Sequence, residues 1–138
     1  MAIRYAMQVE DGTLVVRASG FDESLAEVEQ YGAAVIAACR AHGVTRVLCL
    51  EQELEYRLST LDTFRAAEFV ALHAPKVGRI AIVCAAASLP DGQFWENVVV
   101  NRGLTAAVFA DPVAADHWLH ADPAATNGRP SPVGPLRR

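Results

Sequence analysis

Two runs, residues 44–50 and 79–84, are dominated by apolar side chains that fall on both faces of an extended chain. A strand of that kind must be covered above and below, which in practice means helices packed on a mostly parallel sheet. The segments between the runs supply such helices. Ser24 with Glu27 three residues on forms a capping box, and Leu25, Val28, Tyr31, Val35, Ile36 and Cys39 then recur at helical spacing. Gly43 ends that stripe in a left-handed cap. Ser59 and Asp62 open a second helix, whose apolar face of Leu61, Phe64, Ala67, Val70 and Ala71 runs until Pro75 forbids more. A small-residue loop over 85–92 leads to a shorter helix bearing Phe94, Trp95, Val98 and Val99 and closed by Gly103. A last strand spans 104–109. Asp111-Pro112 then starts a final helix anchored by Trp118 and Leu119, with an acid at the N-cap and proline at the first helical position.

The chain begins differently. Residues 3–9 and 13–18 are two β-like runs joined through Glu10-Asp11-Gly12, and Asp-Gly between such runs signals a hairpin. The element order is therefore β-β-α-β-α-β-α-β-α. It predicts an α/β domain over residues 1–120: a single mixed, mostly parallel five-stranded sheet flanked by four helices, with the first strand as an antiparallel edge. Residues 121–138 mix Pro, Gly, Ser and Arg without an apolar period and read as a mobile tail.

Composition limits function. A formal charge of −4 argues against a nucleic-acid or anionic-membrane surface, which needs a basic face. No apolar run approaches the ~18 residues of a membrane span, and acids and Arg4 interrupt the start where a secretory core would lie. The three cysteines, Cys39, Cys49 and Cys84, show no C-x-x-C spacing. They read as reduced, buried thiols in a cytoplasmic protein. His117 and His120 share a helix face but lack a third donor, so no metal is expected. Without a G-x-G-x-x-G, Walker or G-x-S-x-G pattern, no cofactor or hydrolase template is indicated either.

The element order, the helix start at Ser59, and the closing Asn101-Arg102-Gly103, Val108-Phe109-Ala110-Asp111 and Trp118-Leu119 together resemble the STAS superfamily. The resemblance is closer to its SpoIIAA-like (STAS/SEC14-like) bacterial branch, and it covers residues 5–119. It implies a non-enzymatic regulatory domain that binds a protein partner or a small ligand near the start of the second helix. In the anti-sigma-factor antagonists of that superfamily, a serine at this helix start is phosphorylated. By position the match is Ser59, then Thr60. The acid and glycine that flank the antagonists' site are Leu58 and Leu61 here.

The residues themselves give the same region two readings. Ser59 and Thr60 are helix caps on one reading. On the other they are a phosphoacceptor or ligand-facing pair, since a helix N-terminus favours anions and Arg57 stands beside it. Glu51, Glu53 and Glu55 read as a solvated polar connection over 51–58, in which Leu54, Tyr56 and Leu58 cover a pocket at the strand ends. Asn101 and Arg102 read first as a helix end. By resemblance, Asn97, Asn101 and Arg102 face a ligand or partner. Two alternatives remain open: a small enzyme pairing Ser59 with Glu51, Glu53 or Glu55, and a structural homodimer joined through exposed apolar helix residues.

Overall fold

The computed structural model describes residues 2–75 and 78–121. The expected tail over 121–138 lies, beyond Ala121, outside the described residues. Strands β1 (Ile3–Glu10), β2 (Thr13–Asp22), β3 (Arg46–Tyr56), β4 (Arg79–Cys84) and β5 (Ala106–Phe109) form one sheet in the order β1-β2-β3-β4-β5. β1 is antiparallel to β2, and the other neighbours are parallel. Asp11 and Gly12 both take positive φ, 51° and 77°, as a two-residue turn matched to strand twist demands.

Strands added one beside the last by right-handed crossovers place their connecting helices on one face. That face carries α1 (Leu25–His42), α2 (Thr60–His73) and α3 (Leu89–Asn101), with α2 packed between the other two. The last helix, α4 (Pro112–His120), crosses to the opposite face and lies on β3, β4 and β5. Ala115 and Leu119 bury there against Ala81 and Val83, with Leu48, Leu50, Phe109 and Trp118 around them. The doubly apolar β3 and β4 are thus explained. Val47, Cys49 and Ile82 belong to the core under the helix layer, and Leu48, Leu50, Ala81 and Val83 to the core under α4.

Three local expectations need correction. Residues 51–58 are not a loop: β3 continues to Tyr56, past a register shift opposite Arg17 and Ser19. Glu51 faces inward in step with Val47 and Cys49; beyond the shift Leu54 and Tyr56 turn inward, while Gln52, Glu53 and Glu55 are exposed. The run of acids concealed this strand because the irregularity breaks its two-residue period. The capping box is half-made: Ser24 Oγ accepts from Glu27 N–H at 3.3 Å, but Glu27 Oε2 accepts from Ile3 N–H at 3.0 Å and ties the edge strand to α1. Finally, the 85–92 loop is largely structured, as a 3₁₀ turn at Ala86–Ser88 running into α3 from Leu89. Pro90 fits the first helical turn, where its missing N–H costs nothing.

Gly32 sits inside α1, and a Cβ there would meet Val70 Cγ2 at 3.6 Å, an ordinary contact. Gly32→Ala is therefore expected to stabilise the domain by about 0.5–1 kcal/mol through lower unfolded-state entropy and better helix propensity. Urea unfolding checks it. A loss of stability would mean that α1 and α2 approach more closely than described.

Candidate functional site

The helix layer does not close fully on the sheet. Between α1, α2, α3 and strands β2–β5 lies a cavity of about 380 Å³. Its body is apolar: Val35, Ile36, Val70, Ile80, Ile82 and Trp95 line it. It extends from the carboxyl ends of β2 and β3, at Asp22 and Tyr56, to the opposite end of the sheet at Thr45 and Arg79. Exposed residues occur in the lining at both ends, Asp91 at the first and Gly43, Thr45 and Pro75 at the second.

One polar group is set deep in this lining. Glu51 is 6 % exposed. Tyr31 Oη, from α1, donates to Glu51 Oε2 at 2.7 Å, and Tyr56 Oη, from the end of β3, donates to Oε1 at 2.5 Å. Desolvation raises the Glu51 carboxyl, and the two phenols partly offset it. Burial and the neighbouring Glu51 push both tyrosines well above their ordinary range, so they stay as hydroxyl donors. Asp22, also buried, accepts from Arg57 N–H (2.6 Å) and Leu58 N–H (3.1 Å) through Oδ1. Desolvation raises this carboxyl too, against those two bonds. Cys39, Cys49 and Cys84 are reduced and buried, and burial raises each thiol, most strongly Cys49. Reactive thiolates are not formed this way.

A carboxyl raised on folding makes stability pH-dependent. The folded state keeps a proton on Glu51 that the unfolded chain releases above its ordinary value of 4.5. Stability from this group is therefore fully present below that value and is lost as pH rises through the raised one. Asp22 acts with the same sign. Glu51→Gln keeps two hydrogen-bonding atoms and removes the titration. Its unfolding free energy is expected to decline less than that of the parent as pH rises from 4.5, in urea melts across pH. Parallel profiles for the two proteins would contradict the assigned burial.

No protein-family model matches the chain, and no curated protein does. Solved structures do. An anti-sigma factor antagonist from Mycobacterium paratuberculosis superposes with a TM-score of 0.63 at 14% identity, over 86% of this chain and 95% of that one. An uncharacterised Shewanella loihica protein with a SpoIIAA-like fold gives 0.52 at 20% identity, over 86% and 94%. The fold is STAS/SpoIIAA-like. Within this STAS-like frame the residues singled out from the sequence separate into three places.

Tyr56 belongs to the cavity. Ser59, Thr60 and Arg57 lie outside it, exposed at the start of α2. Ser59 is the N-cap, with Oγ accepting from Asp62 N–H at 3.1 Å. Arg57 stacks on the Phe21 ring, 4.0 Å from its centroid, and pairs with Glu55 at 3.1 Å and Glu23 at 3.8 Å. Asn97 and Asn101 are exposed on α3, and Arg102 follows its last turn. Arg102 pairs with Glu68 at 3.0 Å and lies over Phe64. α3 has 13 residues, so Arg102 is roughly 20 Å along the helix from the end nearest Asp91. Tyr56, Ser59 and Arg102 do not surround a common space. Sequence reasoning passed over Asp22 and Tyr31 and placed Glu51 in solvent. The available signal was the two-residue period that carries Val47 and Cys49 on to Glu51.

Proposed function

We propose that this STAS-like domain is a binding protein rather than an enzyme, and that it holds a small, largely apolar molecule in the cavity between its helix layer and sheet. The observation that carries the reading is the cavity itself, within the ~300–1,000 Å³ range of ligand sites and apolar apart from a few convergent polar groups. Non-catalytic action is supported by the chemistry nearby. Ser59 Oγ caps a helix, and no carboxylate or histidine hydrogen-bonds it among the described residues. The buried thiols are held protonated.

The test is a titration with the neutral fluorophore N-phenyl-1-naphthylamine, using energy transfer from Trp95 in the cavity lining. Saturable binding at one site per chain is expected. Fluorescence that rises without saturation would remove the reading.

The likeness to an anti-sigma factor antagonist favours a second reading that is compatible with the first. A protein partner reads the surface at the start of α2, with Ser59, Thr60 and Arg57 as contacts, and with Asn97, Asn101 and Arg102 on α3 as a second contact area. Phosphate on Ser59 would meet the α2 N-terminus, where negative charge is stabilised. Ser59→Glu is expected to change capture of a partner from lysate of the native host, with Asn97→Ala as comparison. Identical capture profiles for the parent, Ser59→Glu and Asn97→Ala proteins would argue against it.

A further inference from the structure

We propose that the cavity selects an amphiphile with a protonated amine head, seated between Asp22, Glu51 and Asp91, and an apolar tail of about a dozen atoms. This rests on the ligand-binding reading above and adds the chemical class. The tail length follows from volume: at roughly 30 Å³ per water-sized group, 380 Å³ accommodates about a dozen.

The head follows from charge. Asp22, Glu51 and Asp91 all line the end of the cavity at the carboxyl ends of the strands. Among the described residues none of the three forms an ion pair; Arg57, whose charge is felt by Asp22, is itself paired with Glu55 and Glu23 on the outer surface. Glu51 thus combines deep burial with two hydrogen bonds and no counter-charge. A buried carboxylate without a cation is costly, and the same carboxylate with one gains charge-assisted bonds. Each Glu51 oxygen accepts one phenol, which leaves acceptor capacity for an ammonium with its three donors. Asp22 uses only Oδ1 toward the backbone.

An anionic head would face like charge at this end. At the opposite end the Arg79 guanidinium is turned to the other face of the sheet, where it donates to the Trp118 carbonyl of α4 and lies over its ring, and Arg40, exposed, donates to the His73 carbonyl. The remaining lining there offers no built anion site. A fatty amine satisfies both ends, with the ammonium at Glu51 and the chain along Val35, Ile82 and Trp95.

The experiment displaces N-phenyl-1-naphthylamine with dodecylamine, dodecanol and dodecanoate, each below its micellar concentration at neutral pH, from the parent protein and from Glu51→Gln. The amine is expected to bind at least about tenfold more tightly than the alcohol, with the carboxylate weakest. In Glu51→Gln the amine's advantage is expected to shrink to about threefold or less, with dodecanol unchanged. Dodecanoate equal to or tighter than dodecylamine would overturn the proposal, as would a full amine preference in Glu51→Gln. Equal binding of all three leaves the cavity reading standing and removes the amine. Failure of the fluorophore and all three chains to bind removes both. Should Glu51→Gln fold poorly, Asp91→Asn, at an exposed position of the same rim, is expected to weaken the amine selectively. A full amine preference retained in Asp91→Asn would again overturn it.

Discussion

Ile82→Trp is expected to weaken binding of apolar ligands by about 100-fold while the domain stays folded. Ile82 lies on interior strand β4, is buried, and lines the cavity beneath the helix layer. In a close-packed core, an indole in place of a sec-butyl group forces rotamer and backbone shifts that cost about 1–3 kcal/mol. Here the added volume enters space that is already open, and filling a void recovers contacts that its lining lacks. The same indole occupies the room a ligand tail needs. The expected pair of results is therefore a melting temperature at or above that of the parent and a loss of roughly 2.7 kcal/mol in binding. Calorimetry and fluorophore titration measure the two. A strongly destabilised variant would show that the helices and sheet are in direct contact at Ile82.

Gly78→Ala acts on the frame of the site and is expected to cost about 3 kcal/mol or more. Gly78 has φ of +97°, and a Cβ built there would lie 1.9 Å from the Thr45 carbonyl oxygen. That oxygen is not dispensable: it accepts the Arg79 N–H at 2.9 Å as β4 enters the sheet beside β3. The substitution therefore combines a disfavoured backbone region with a collision against backbone, which a side-chain rotation cannot relieve. For a domain of this size the melting temperature should drop by about 10 °C or more. A shift of only about 2 °C would mean that the backbone at Gly78 adapts easily.

The architecture was legible because several local signals agreed. The Asp11-Gly12 turn, the Ser59 and Asp111 N-caps and the doubly apolar residues of β3 and β4 each specify a boundary or a face, and the structure uses each for that purpose. Right-handed crossovers then leave one arrangement for α1, α2 and α3. The site was less legible for a physical reason. Glu51 looks like its neighbours Glu53 and Glu55, yet it keeps the inward facing of Val47 and Cys49, and the register shift that follows it, opposite Arg17 and Ser19, turns Glu53 and Glu55 to water. A shift of one residue reverses the facing of everything after it, and periodicity within a single strand does not reveal where it falls. Tyr31 had the same difficulty. Its helical spacing marks it as core, but its hydroxyl partner lies 20 residues away on another element. The cavity is a property of how closely two layers approach, which no single segment encodes.

The most direct measurement of the central claim is a crystal structure of the protein equilibrated with dodecylamine. The account predicts one chain of density between α1, α2, α3 and the sheet, passing Ile82 and Trp95, with its nitrogen within hydrogen-bonding reach of Glu51. A core in which the helices close onto Ile82, with no ligand density and no room for any, would contradict it.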